Sequence, residues 1–306
     1  MAKTSTLLVA VLWLLSAPAA AAPESAPASG PETGEKPEGE EAESAALARA
    51  VQNPVADLIS VPFQNNVDYN IGSFDRSMWT LDIEPVIPLH VTEDWMVITR
   101  TIIPFIYQPN INAAGGGSSG MGDINPTFFV SPVHAKLFIW GFGPTFLFPT
   151  ATQATTGTGK WGIGPAAVGL LQTKQWTVGA LANNIWSYAG QSNRATVNQF
   201  LLQYFVNYNL PDAWYLTSSP IITANWEASS GNKWLVPFGA GVGKIFRLGK
   251  LPLNGQVQGF FNPIRPDQPP SATWELRFQV AFLFPTAKPK AAQAAASSSC
   301  PDVASR

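Results

Sequence analysis

From Asn66 to Phe284 the sequence alternates with a period of two, in segments of roughly ten residues bounded by Gly, Pro, Asn, Asp and Ser. The last segment is the clearest. Trp274, Leu276, Phe278, Val280, Phe282 and Phe284 fall on one side, and Glu275, Arg277 and Gln279 on the other. Around Phe200 the same logic places Phe200, Leu202, Tyr204, Val206, Tyr208 and Leu210 outward, with Gln199, Gln203, Asn207 and Asn209 inward. One face suits lipid and the other suits water. In a soluble sandwich the apolar side would be the core, whereas in a membrane barrel it is the outside.

Connection lengths separate these two architectures. Strands are predicted near 66–74, 78–90, 95–107, 122–132, 136–149, 160–172, 176–187, 196–210, 214–226, 233–247, 251–262 and 272–284. Every second connection is tight (Thr92 to Asp94, His134 to Ala135, Thr173 to Gln175, Pro211 to Ala213, Leu248 to Lys250), and those between are mostly longer and rich in Gly, Ser, Asn and Thr. Alternating short turns and long loops are the outer-membrane pattern, and an even strand count leaves both chain ends on the periplasmic side. The fold class expected is therefore all-β: a transmembrane antiparallel up-and-down β-barrel of about 12 strands, preceded by a short N-terminal helix. Trp95, Trp176 and Trp214 follow tight turns, and Trp161, Trp186, Trp226, Trp234 and Trp274 sit near long loops, which predicts two aromatic girdles. Pro85, Pro104, Pro126, Pro144, Pro165, Pro220 and Pro237 fall inside strands, so bulges or irregular strands are expected there.

Residues 1–22 read as a signal peptide: Lys3, a short apolar core from Leu7 to Leu15, and alanines around Ala20. Residues 23–43 read as a disordered acidic linker, having no aromatic or branched apolar residue able to build a core. Over 44–60, Leu47, Val51, Val55, Leu58 and Ile59 recur at helical spacing, with Pro54 starting a second short piece. An amphipathic helix lying against the barrel on the periplasmic side is favoured over a plug in the lumen. The barrel spans 66–284, and 285–306 form a disordered tail. Only 12% of the 306 residues are charged and the net charge is -2, with no basic stripe, which removes the electrostatic case for nucleic-acid binding. Cys300 is the single cysteine, so neither a disulfide framework nor a cysteine-based metal site is expected.

The runs NPVADLISVPFQNN (53–66), EDWMVITRTIIP (93–104), GMGDINPTFFVSP (120–132), GKWGIGPA (159–166), NQFLLQYFVNYNLPDAWYLTSSPIITANWEA (198–228) and WELRFQVAFLFP (274–285) resemble one family of bacterial outer-membrane proteins. These are the phenol meta-pathway degradation, transporter-like barrels, whose members often carry the label neuromedin U. The resemblance implies a location in the cell outer membrane and passage of small, hydrophobic or aromatic compounds, but no defined site. Outer-membrane barrels resemble one another in ending on an aromatic residue that assists assembly; Phe284 fits, which implies the barrel-assembly machinery and outer-membrane lipid as partners. The tail beyond it departs from that pattern.

Catalysis finds little support in the residues. His90 and His134 are the only histidines, and both lie near tight turns. Gly115 to Gly122 has the wrong spacing for a phosphate loop and reads as a surface loop. No enzyme activity, metal or cofactor is expected. The informative groups are charges within strands: Asp82, Glu84, Arg100, Asp123, Glu275 and Arg277 are predicted to line the lumen, because an Arg or Lys facing lipid near the midplane costs roughly 2 to 4 kcal/mol. They serve either selectivity or a packed interior. A passive channel or transporter for a small-molecule substrate is the leading function. The alternative is a structural or adhesive protein with a closed, side-chain-filled barrel.

Overall fold

Strand follows strand around a closed antiparallel barrel in a computed structural model that describes residues 38–135 and 137–285. The twelve staves are β1 (Ile59–Ile71), β2 (Arg76–Ile83 and Val86–His90), β3 (Trp95–Pro109), β4 (Gly117–Met121 and Asn125–Pro132), β5 (Phe138–Leu147), β6 (Lys160–Gln172), β7 (Trp176–Gly190), β8 (Asn198–Asn209), β9 (Trp214–Ser218 and Ile221–Asn225), β10 (Trp234–Leu248), β11 (Leu251–Ile264) and β12 (Trp274–Phe284). Each pairs with its sequence neighbours. Closure runs along β12 and β1, from Ile59 opposite Phe284 to Tyr69 opposite Trp274. One helix, α1 (Glu38–Val51), precedes the barrel. The signal peptide, most of the linker, the tail and Cys300 lie outside the described residues.

Burial follows the predicted alternation. In β12, Trp274, Phe278, Val280 and Phe284 are exposed, while Arg277, Ala281 and Leu283 are buried. The exposed side of the other staves is also apolar, including Phe142, Leu171, Leu216, Phe238 and Val257. An apolar band outside a closed sheet with a polar interior is the signature of a lipid-facing barrel. Aromatic rings cluster at both rims: Trp176 packs on Tyr208 at 4.7 Å on the turn side, and Trp226 on Trp234 at 5.4 Å on the loop side. The girdles are thus present where tryptophan spacing placed them.

Prolines interrupt the ladder as their missing donor requires. Pro85 and Pro220 divide β2 and β9, a register shift flanks Pro237, and Pro144 faces Pro165 across β5 and β6. Elsewhere close approach is managed by glycine. Tyr215, 1% exposed, lies over Gly243, where any side chain would collide with its ring, and donates to Asn254 Oδ1 at 2.6 Å.

Three boundaries differ from expectation. The helix begins at Glu38, inside the expected linker, and ends at Val51, so Pro54 starts no second helical piece. Asn53 turns the chain instead, its Oδ1 accepting from Val55 N at 3.0 Å. Strand β1 begins at Ile59 rather than near 66, because Leu58 and Ile59 fit helical spacing while Ser60, Pro62 and Gln64 already alternate inward. The Gly-rich stretch after Gly115 is not all loop: Gly117–Met121 pairs with Phe105–Pro109, as small residues fit a ladder equally well.

Candidate functional site in the barrel lumen

The lumen is uneven, its main apolar cluster on one side and most of its amides and charges on the other. Inward residues of β3 to β8 form an apolar cluster of Met96, Ile98, Phe129, Ala166, Val168, Leu170, Leu181 and Phe205. The facing wall, from β9 through β12 to β2, carries Ser219, Asn254, Gln256, Gln258, Arg277, Gln279, Gln64, Asn66, Asp82 and Glu84. The N-terminal segment lies between them. Val55, 1% exposed, is part of the apolar cluster, and Leu47, Ala48 and Leu58 pack on Ala213, Ile245, Ala281 and Leu283 from the opposite side. This corrects the expectation of a helix lying against the barrel: contact with both walls makes the segment a plug at the turn-side rim. The pattern that suggested an amphipathic helix was right about an apolar face, but that face is buried against inward residues.

Polar contacts fasten the plug. Gln52 Nε2 donates to Asn209 Oδ1 at 2.8 Å, Gln172 Nε2 donates to the Arg49 carbonyl at 2.8 Å, and Arg247 pairs with Glu43 at 2.8 Å. His90, at the end of β2, lies 3.3 Å from Asp57 where the plug joins β1. Two cavities adjoin it. One of about 130 Å³ is lined by Pro54, Gln64, Glu84, Arg100, Gln203 and Gln279 among others, and one of about 120 Å³ by Gln52, Phe205, Asn207, Tyr215 and Asn254 among others.

Five of the six charges predicted to face inward are held together, four on the polar wall and Arg100 reaching it from β3. Arg100 pairs with buried Glu84 at 2.8 Å. Arg277, 2% exposed, donates to Glu275 at 2.8 Å, to Asn66 Oδ1 at 3.0 Å and to the Ser219 carbonyl at 2.9 Å, with its guanidinium 4.8 Å from the Phe260 ring centroid. Asn66 Nδ2 in turn donates to Asp82 at 3.0 Å, so one amide joins two charged groups. Asp123 stands apart at the loop-side rim. It accepts from Thr158 N at 2.6 Å, Thr158 Oγ1 at 2.7 Å and Ala151 N at 3.2 Å, and so fastens the 148–159 loop. Gln64 falls before the expected start of β1 at 66, whereas Asn66 and Asp68 lie inside that strand, where their alternation with Val67 and Tyr69 was the available signal.

Among solved structures the chain is similar to an outer-membrane channel from Pseudomonas putida F1, with a TM-score of 0.58 and 16% identity over 74% of this chain and 94% of that one. This chain is an outer-membrane β-barrel. The NanC porin also matches, at TM-score 0.47 and 8% identity over 74% of this barrel's chain and 98% of its own, as does the monoaromatic hydrocarbon channel CymD, at 0.40 and 10% over 79% and 92%. No family model and no curated protein matches. Among the described residues of the barrel, no three His, Cys, Asp or Glu side chains converge as metal ligands.

Proposed function

We propose that this barrel is a passive channel for small molecules of hydrophobic or aromatic character. The observation that carries the proposal is the uneven lumen. A path for sugars or ions alone has no use for the apolar side chains of Leu181 and Phe205 that line the two lumenal cavities, whereas an amphipathic solute can keep its apolar part on them and its polar part on Gln64, Gln256 and Gln279 opposite. The resemblance of the sequence to phenol meta-pathway transporter-like barrels supports the same substrate class. In this proposal residues 1–22 direct export, and Phe284, exposed at the end of β12, presents the aromatic terminus to the barrel-assembly machinery. Asp82, Glu84, Arg100, Glu275 and Arg277 set selectivity along the polar wall.

The plug favours a second function, a closed structural or adhesive barrel. Conductance of the purified, detergent-folded protein in planar bilayers separates the two. Discrete small steps are expected, and Arg100→Ala, by leaving Glu84 without its counter-ion, is expected to move the reversal potential toward cation preference. Silence from a demonstrably folded barrel would support the closed one.

A further inference from the structure

We propose that the loop-side mouth of the barrel holds a recognition pocket for a protonated primary amine carried on a compact apolar body. This deepens the channel proposal by naming a substrate class, and rests on it for transport but not for binding.

A cavity of about 230 Å³ lies beneath the 265–273 connection, bounded by Asp68 and Ile71 of β1, Met78 of β2, Leu235 of β10 and Asn262 of β11. The covering segment is held down: Thr273 N donates to the Tyr69 carbonyl at 2.9 Å, and Asn262 Nδ2 donates to the Ala272 carbonyl at 2.8 Å. With its amide nitrogen so engaged, Asn262 is 2% exposed, and its Oδ1 has no donor among the described residues. The Asp68 carboxylate likewise has no hydrogen bond or ion pair among the described residues, and it stands across the ladder from Glu275, a like charge. The nearby cations are already engaged. Arg277 donates to Glu275, Asn66 and Ser219, and Arg265 donates to the backbone carbonyl of Asn262 at 3.0 Å.

A carboxylate and a buried amide oxygen, both lacking donors, call for a ligand that brings positive charge and more than one N–H. An ammonium group does both. A lining of Ile71, Met78, Ile111, Leu235 and two prolines favours carbon around the charge rather than a hydrated metal ion. A neutral alcohol of the same shape can donate one O–H to Asp68 but brings it no positive charge.

The full-length protein, folded in non-ionic detergent, would be titrated calorimetrically with 2-phenylethylammonium and with neutral 2-phenylethanol. The ammonium is expected to bind about tenfold more tightly, the scale of a charge-assisted hydrogen bond, and Asp68→Asn should erase that preference while leaving the alcohol unchanged. Met78→Trp, which fills the cavity, should weaken both ligands and serves if Asp68→Asn does not fold. Equal affinity for the two ligands, an ammonium preference that survives Asp68→Asn, binding unaffected by Met78→Trp, or displacement of the amine by equimolar calcium would overturn the proposal. Conductance of the same preparation keeps the two proposals apart: ammonium preference in a silent barrel sinks the channel and spares the pocket, and conductance without that preference does the reverse.

Discussion

Deletion of residues 44–57 is expected to raise single-channel conductance about tenfold, since a twelve-strand barrel relieved of its internal segment retains a lumen wider than one layer of side chains. The deleted stretch contributes Leu47, Ala48 and Val55 to the interior and the Gln52 contact to Asn209. None of it belongs to the closed ladder, because β1 begins at Ile59 and its pairing with β12 starts there. Barrel closure should therefore survive, checked by compact migration of the unheated protein on a denaturing gel. Unchanged conductance from a folded deletion variant would place the restriction elsewhere, at the Arg277 cluster.

Arg277→Met should cost about 3 to 5 kcal/mol of stability, the usual consequence of removing one partner from a buried ion pair. The guanidinium is 2% exposed and satisfies Glu275, Asn66 and the Ser219 carbonyl together, across β12, β1 and β9. Its loss leaves a carboxylate and two acceptors without donors in a place that water reaches poorly. Denaturant unfolding in lipid vesicles would show a lowered midpoint, and the double variant with Glu275→Gln should recover most of it, because the orphaned charge has then gone as well. A single substitution with no effect would mean that water hydrates this wall freely, contrary to a narrow, side-chain-lined interior.

The barrel was legible in the sequence because a period of two, tight turns and rim tryptophans are local signals. Trp274 to Phe284 shows this best: its outward and inward residues are those the alternation assigns. The plug was not legible in the same way. Leu47, Val51, Val55 and Leu58 show that the segment has an apolar face, but whether that face meets lipid, the outer wall or the lumen depends on partners more than forty residues away, such as Ile98 and Ile245. Charges behaved similarly. Alternation placed Glu84, Arg100 and Arg277 inward, yet it placed Asp123 with them, and only the tertiary fold shows that Asp123 binds Thr158 in a loop. The proline in ISVPFQNN hid the start of β1 and with it Gln64, whereas Asp68 lay inside the expected strand and is set apart only by the distant 269–272 segment that shares its cavity.

The most direct measurement of a hydrophobic path is entry of 1-N-phenylnaphthylamine, a neutral aromatic dye excluded by an intact lipopolysaccharide layer, into Gram-negative cells carrying this barrel folded in the outer membrane. The account predicts dye entry faster than in vector controls, with little change in uptake of a sugar of similar mass. Dye entry equal to that of the controls would contradict it.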